Sequence, residues 1–192
     1  LFRSLIRDVL GAGEHGWGAQ AIYLDDCASG ITVIDNVFRR TGRAVVIGGG
    51  RDNRVENNLF LDCAVGVHVD ARALGWARSR IENRDGSWDL YGKLDAVDHD
   101  RPPYANRYPE LADILNHNPQ APIGNAIRRN VAVGCDRWLD LKDIRDGWNT
   151  LEHNVTAEAA DFRDPDADDY RLPPGSPLLD EGFDQTKPPG GE

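Results

Sequence analysis

The sequence predicts an all-β fold of the solenoid kind, in which short strands stack coil upon coil around a shared apolar core. Three observations predict it. Ile22-Tyr23-Leu24-Asp25, Val45-Val46-Ile47-Gly48 and Val67-His68-Val69-Asp70 begin 23 and then 22 residues apart. Between them, Thr32-Val33-Ile34-Asp35-Asn36-Val37-Phe38 and Arg54-Val55-Glu56-Asn57-Asn58-Leu59-Phe60 repeat at 22 residues. Asn36, Asn58, Asn130 and Asn154 each precede an apolar pair at one position of the repeat. A fixed period of this length marks units that cannot bury their apolar side alone and therefore stack.

The first turn of the repeat is Leu1 to Asp8, which aligns with Val33 to Arg40 and carries Ser4 where later copies carry Asn. The chain thus starts partway round a coil. It contains no Met, so it is expected to be part of a longer product, with a missing segment or a partner chain covering the exposed end of the stack. Glu14 to Gln20 interrupts the repeat with a Gly-rich loop. In the strands that follow, alternation turns Ile22, Leu24, Val45, Ile47, Val67 and Val69 inward and Tyr23, Val46 and His68 outward. A side-by-side Asn column can hydrogen-bond from coil to coil and satisfy turn backbone.

After Asp70 the period breaks. Residues 71–124 read as a long insertion, with helices predicted over Ser87–Leu94 and Pro109–Asn116, the second from Pro109 near its start. Arg80-Ile81-Glu82-Asn83 reads as a faint echo of Arg54 to Asn57. The repeat resumes at Asn125 to Ala132, Leu139 to Lys142 and Thr150 to Val155. From 157 to 192, Pro, Asp and Gly at turn spacings predict an irregular C-terminal cap against the last coil. The whole of 1–192 is expected to be one domain.

Composition narrows the function. A formal net charge of −10 and a pI near 4.9 argue against a nucleic-acid partner, which demands a basic surface. No apolar run approaches the ~20 residues of a membrane span. Three cysteines without C-x-x-C spacing predict neither zinc nor a disulfide framework. Cys63 and Cys135 fall at equivalent places of neighbouring coils and are expected to stack as buried thiols, a disulfide being the less favoured alternative. Gly48-Gly49-Gly50 precedes no helix, so it does not predict nucleotide binding. No cofactor and no metal is expected.

The Asn column, the 22-residue spacing and the closing Asp161-Phe162-Arg163-Asp164-Pro165, Tyr170-Arg171-Leu172 and Ser176-Pro177-Leu178-Leu179-Asp180 run carry a resemblance. The chain resembles the C-terminal part of a right-handed parallel β-helix of the pectate-lyase-like superfamily. It is similar to bacterial β-helical glycoside hydrolases and polysaccharide lyases. The resemblance implies three parallel sheets, a carbohydrate cleft along one of them, a polysaccharide or oligosaccharide partner, and an extracellular or periplasmic location. No paired Arg and calcium-binding Asp of the lyases is evident.

Reading down the stack gives candidate chemistry. Equivalent residues on adjacent coils lie ~4.8 Å apart. One row reads Asp25, Gly48, Asp70, Lys142; the row beside it reads Tyr23, Val46, His68, Asp140. Asp25 and Asp70, two coils apart, should have backbones ~9.6 Å apart. Inverting glycosidases separate their carboxyls by about 6.5–9.5 Å and retaining ones by about 5–5.5 Å, so inversion is favoured. Asp25, Asp70 and His68 are the catalytic candidates, His68 with Asp140 as proton carrier and Lys142 keeping Asp70 ionised. Tyr23, Glu14, His15, Trp17, Asp26, Trp76, Trp88, Asp140 and Lys142 are the substrate-binding candidates. Each competes with a plainer role, since Asp and Gly end strands at ordinary turns and tryptophans anchor insertions. The expected function is polysaccharide hydrolysis by paired carboxylates. Its rivals are a lyase or epimerase using Lys142, His68 or Tyr23 as base, and a non-catalytic glycan-binding or structural piece.

Overall fold

The computed structural model describes residues 1–12, 18–160, 162–179 and 183. The candidates Glu14, His15 and Trp17 lie outside the described residues. Two compact units are present, Leu1–Asp70 with Pro122–Glu192, and Ala71–Ala121.

The first unit is a parallel β-solenoid. Its strands are β1 (Leu5–Arg7), β2 (Gln20–Leu24), β3 (Thr32–Ile34), β4 (Val37–Arg39), β5 (Arg43–Gly48), β6 (Arg54–Glu56) and β7 (Leu59–Leu61). There follow β8 (Val65–Asp70), β9 (Ala126–Arg128), β10 (Val131–Val133), β11 (Arg137–Lys142), β12 (Thr150–Glu152) and β13 (Val155–Ala157). They form three sheets, ordered β1-β4-β7-β10-β13, β2-β5-β8-β11 and β3-β6-β9-β12. Every strand pair is parallel. Across residues 71–121 the stack continues without a slip, Val55 facing Ile127 and Val67 facing Leu139.

The predicted Asn column exists. The N–H and Nδ2 of Asn36 both donate to Asn58 Oδ1, each at 3.0 Å. Asn58 donates in the same way to Asn130, and Asn130 to Asn154. Ser4 enters the column through its backbone N–H, which donates to Asn36 Oδ1 at 3.0 Å. The Nδ2 groups of Asn58, Asn130 and Asn154 also donate to a carbonyl of the preceding coil, Val33, Val55 and Ile127 respectively, as Asn58 does at 3.0 Å. The preceding residues Asp35, Asn57, Arg129 and His153 have φ of 57°, 53°, 53° and 53°, which makes the sharp corner. A second column, not anticipated, runs Asn53–Asn125–Asn149 at another corner, with Asn53 and Asn125 each donating N–H and Nδ2 to the next Oδ1.

Inside the coils Phe38 and Phe60 stack at 5.1 Å and 8°, among Val45, Ile47, Val55, Val67 and Val69. The glycine run at 48–50 has a structural reason. Gly49 has φ 77°, and a Cβ at Gly50 would run into the Ala28 carbonyl oxygen. Outside the core, Glu56 has no exposed side-chain surface and binds Arg54, Arg128 and Arg129 at 2.9, 2.8 and 3.1 Å. Arg128 and Arg129 follow the helical unit in sequence and so bond Glu56 across its coil junction.

The C-terminal segment takes a different course from the expected end cap. Tyr170, Leu172 and Leu178 pack on the outward side chains of β4, β7 and β10, namely Val37, Leu59, Leu61, Val131 and Val133. Asp168 reaches as far as β1, accepting from Arg7 Nη1 at 2.8 Å. It also accepts from the Tyr170 hydroxyl at 2.9 Å. Burial, with this hydrogen bond, pushes the Tyr170 phenol above its ordinary range. The segment is a strap along the five-stranded sheet.

The second unit is helical, with α1 (Arg78–Glu82), α2 (Leu90–Ala96), α3 (Tyr104–Arg107), α4 (Pro109–Ala112) and a 3-10 turn at Ile114–Asn116. Both predicted helices appear in shortened form. Helix α2 starts at Leu90 because Asp89 caps it, accepting from the Gly92 N–H at 2.8 Å. The echo at Arg80 to Asn83 proves helical instead of a coil: Ile81 is its one buried residue, and no Asn-plus-apolar-pair follows to make the corner. No helix among the described residues is long and apolar enough to cross a membrane.

Asn58→Ala should cost about 3–5 kcal/mol, because it strips partners from the buried Asn36 N–H and Val33 carbonyl, each worth about 1–3 kcal/mol. Asn154→Ala, at the half-buried end of the column, should cost less; urea unfolding of the two variants checks the order. Burial opposes the Glu56 charge, but the hydrogen bonds and charges of Arg54 and Arg128 outweigh it and hold the carboxyl below its ordinary range. Its contribution is therefore complete above the unfolded value of ~4.3 and fades as pH falls through the depressed folded value. Glu56→Gln should lose about 2 kcal/mol at pH 7, below the usual cost of breaking a buried pair because the arginines remain partly solvated. The loss relative to wild type should shrink in acid, as read by thermal unfolding across pH.

Candidate active site on the β2-β5-β8-β11 sheet

The outer face of this sheet carries both predicted rows. Tyr23 faces Val46, Val46 faces His68 and His68 faces Asp140; Gly48 faces Asp70 and Asp70 faces Lys142. Asp25 follows the last residue of β2, whose Leu24 faces Ile47, so it extends the second row. In-register parallel pairing forces these neighbours together, since one residue of slip would turn every side chain to the opposite face.

His68 is the centre of the geometry. Its Nδ1 lies 2.7 Å from Asp140 Oδ2, and its Nε2 lies 3.5 Å from Asp70 Oδ2. Asp140 comes from the opposed position on the next coil, and Asp70 from two residues along the same strand, hence the same face. Asp140 also accepts from Arg137 Nη1 at 3.0 Å. Burial disfavours the Asp140 charge, but hydrogen bonds from His68 and Arg137 outweigh it and hold the carboxyl below its ordinary range. An ionised Asp140 accepts, so the network assigns the proton to His68 Nδ1 and leaves Nε2 to exchange a proton toward Asp70. Arg137 was not foreseen; its position three residues before Asp140 is the sequence signal for it.

Exposure departs from simple alternation. Tyr23 points outward and is 43% exposed, whereas Val46 and His68, expected to face outward into the open, are 1% and 5% exposed. Both positions are nonetheless absent from the internal core cluster, so the strand alternation holds and the outer face itself is covered there. Asp70 is buried at 8%, while Asp25, Asp26 and Lys142 are exposed. Asp26 has φ 49°, and its N–H donates to Asp25 Oδ1 at 2.9 Å, so it shapes the turn that presents Asp25.

Trp76 and Trp88 belong to the other compact unit. They meet edge to face at 6.1 Å, and the Arg80 guanidinium lies 5.6 and 5.9 Å from their ring centroids. Trp76 is 59% exposed, which leaves much of its indole open to a ligand. Among the described residues no cluster of three or more His, Cys, Asp or Glu is arranged to hold a metal ion. Comparison with protein-family models, curated proteins and solved structures found no match to the chain.

Asp140→Asn should abolish the fixed tautomer of His68. Nitrogen NMR of the imidazole should show the Nδ1–H form in the wild type and a mixture of tautomers in the variant.

Proposed function

We propose that this sheet face is the acid–base centre of a carbohydrate-active enzyme, a glycoside hydrolase acting on a polysaccharide. The proposal rests above all on His68 held between Asp140 and Asp70, beside the Asp25–Gly48–Asp70 row. Gly48 leaves the space between the two carboxylates free of side chain. With backbones two inter-strand spacings apart, ~9.6 Å, the carboxyls fall near the range that admits a water for inversion. Asp70 donates a proton to the glycosidic oxygen as the bond to the anomeric carbon breaks. Asp25, in contact with solvent, takes the proton of the water that attacks the opposite face. Asp70 regains its proton from solvent by way of His68 Nε2, which takes it up and passes it on, and Asp140 keeps the ring oriented. Tyr23 offers an exposed ring to a sugar.

In this reading the solenoid is right-handed and of the pectate-lyase-like type, and the protein works outside the cytoplasm. The fixed His68–Asp140 pair also favours a second reading, a lyase or epimerase in which His68 removes the proton α to a uronate carboxylate.

One set of assays separates the two. In folded protein, Asp70→Asn and Asp25→Asn should each lower the release of reducing ends from polysaccharides by about 10²–10⁴-fold, the usual worth of a general acid or base. The first-formed sugar should carry the inverted anomer by proton NMR. Wild-type rates in both variants would remove the paired-carboxylate mechanism, and an unsaturated, ultraviolet-absorbing product would select the lyase.

A further inference from the structure

Thr41, Cys63 and Cys135 form a third column, at the corner entering β5, β8 and β11. Backbone bonds fix it: the Ala64 N–H donates to the Thr41 carbonyl at 2.9 Å and the Asp136 N–H to the Cys63 carbonyl at 3.1 Å. Equivalent atoms of adjacent coils lie ~4.8 Å apart, inside the Cα separation of about 4.4–6.8 Å that a disulfide spans. Both cysteines are free thiols; Cys63 Sγ donates to the Leu61 carbonyl at 3.3 Å and Cys135 Sγ to the Phe60 carbonyl at 3.7 Å. The Thr41 hydroxyl is buried beside Cys63 with no other partner, a donor in reserve for a thiolate.

The two sulfurs differ in access. Cys63 is 1% exposed. Cys135 is half-buried and lines an open cavity of about 330 Å³ with Ala132, Trp138, Thr156, Ala157 and Glu158. The neighbouring Cys135 sulfur, against burial and with the help of Thr41, holds the Cys63 thiol below the ordinary cysteine range. The same contact, with burial, pushes Cys135 up. Of the two sulfurs, Cys135 is the one the cavity reaches.

We infer that Cys63 and Cys135 are a redox-reactive dithiol site that a peroxide entering this cavity converts to a disulfide. The Cys135 sulfur attacks one peroxide oxygen, the O–O bond breaks, and one water leaves with a sulfenic acid on Cys135. The Cys63 sulfur then attacks that sulfur, the S–S bond forms, and the hydroxyl departs as a second water. The two sulfurs give up two electrons and two protons, and the peroxide is reduced to two waters. The bond ties the coil before the helical unit to the coil after it.

The test treats the full chain with hydrogen peroxide and maps peptides without reduction. Expected are loss of two of the three thiols, a cross-link between the Cys63 and Cys135 peptides, and reversal by dithiothreitol. Cys27 should stay open to alkylation, and Cys27→Ser should oxidise as wild type does. The inference is overturned if Cys135 proceeds to sulfinic or sulfonic acid while Cys63 remains a thiol, if Cys27 supplies either end of the cross-link, or if no thiol is lost.

Discussion

Two of the three sheets consist of three-residue strands, too short a ladder to hold register alone, and the corners bury backbone groups that no strand partner can reach. The Asn columns resolve both problems with one side chain. The carboxamide of Asn58 accepts the N–H and Nδ2–H of Asn36 in the coil before it, and its Nδ2 donates to Asn130 in the coil after it and to the Val33 carbonyl of the coil before it. A buried amide without a partner costs about 1–3 kcal/mol, so a corner lacking this residue would be penalised twice. With columns at two corners, Asn36 to Asn154 and Asn53 to Asn149, each coil is pinned relative to the next. Rotation or slip of any coil would break several such bonds together.

That pinning is the reason the outer rows have chemical meaning. His68 and Asp140 are 72 residues apart in sequence, and Nδ1 and Oδ2 meet at 2.7 Å because β8 and β11 pair in strict register. The period alone predicts this neighbour relation, as it does Asp70 beside Gly48 and Lys142. Coil positions were therefore legible down to single side-chain pairs. The Asn53–Asn125–Asn149 column escaped notice because its spacing is carried by isolated asparagines without the flanking apolar pair that marks the first column.

What sequence pattern missed has a common physical origin. Alternation states which side of a sheet a residue faces and says nothing of what lies against that side, so Val46 and His68 point outward and are nevertheless buried. The tetrad Arg80 to Asn83 matches a coil in residue type, yet a strand needs a neighbour to pair with, and a five-residue helix with Ile81 inward satisfies its backbone without one. The strap similarly lacks a period. Its position on the five-stranded sheet follows from Tyr170, Leu172 and Leu178 finding the outward apolar row of Val37, Leu59 and Val131.

Two buried acidic clusters on this solenoid show how the same means serve unlike ends. At Glu56 one carboxylate meets three arginines, two of them from the coil beyond the helical unit. Positive charge is in excess, every oxygen is held, and no proton can enter near neutral pH without breaking ion pairs. At His68 the imidazole stands between two carboxylates, Asp140 at 2.7 Å and Asp70 at 3.5 Å, and Arg137 reaches Asp140 at 3.0 Å. Each ring nitrogen of that imidazole faces a carboxylate oxygen. A cluster saturated with fixed positive charge locks coils together. A cluster whose balance is completed by a titratable ring can take up and release a proton without rearranging the coils that present it. The same register thus builds an ion-paired junction at Glu56 on one sheet and an imidazole set between carboxylates at His68 on another.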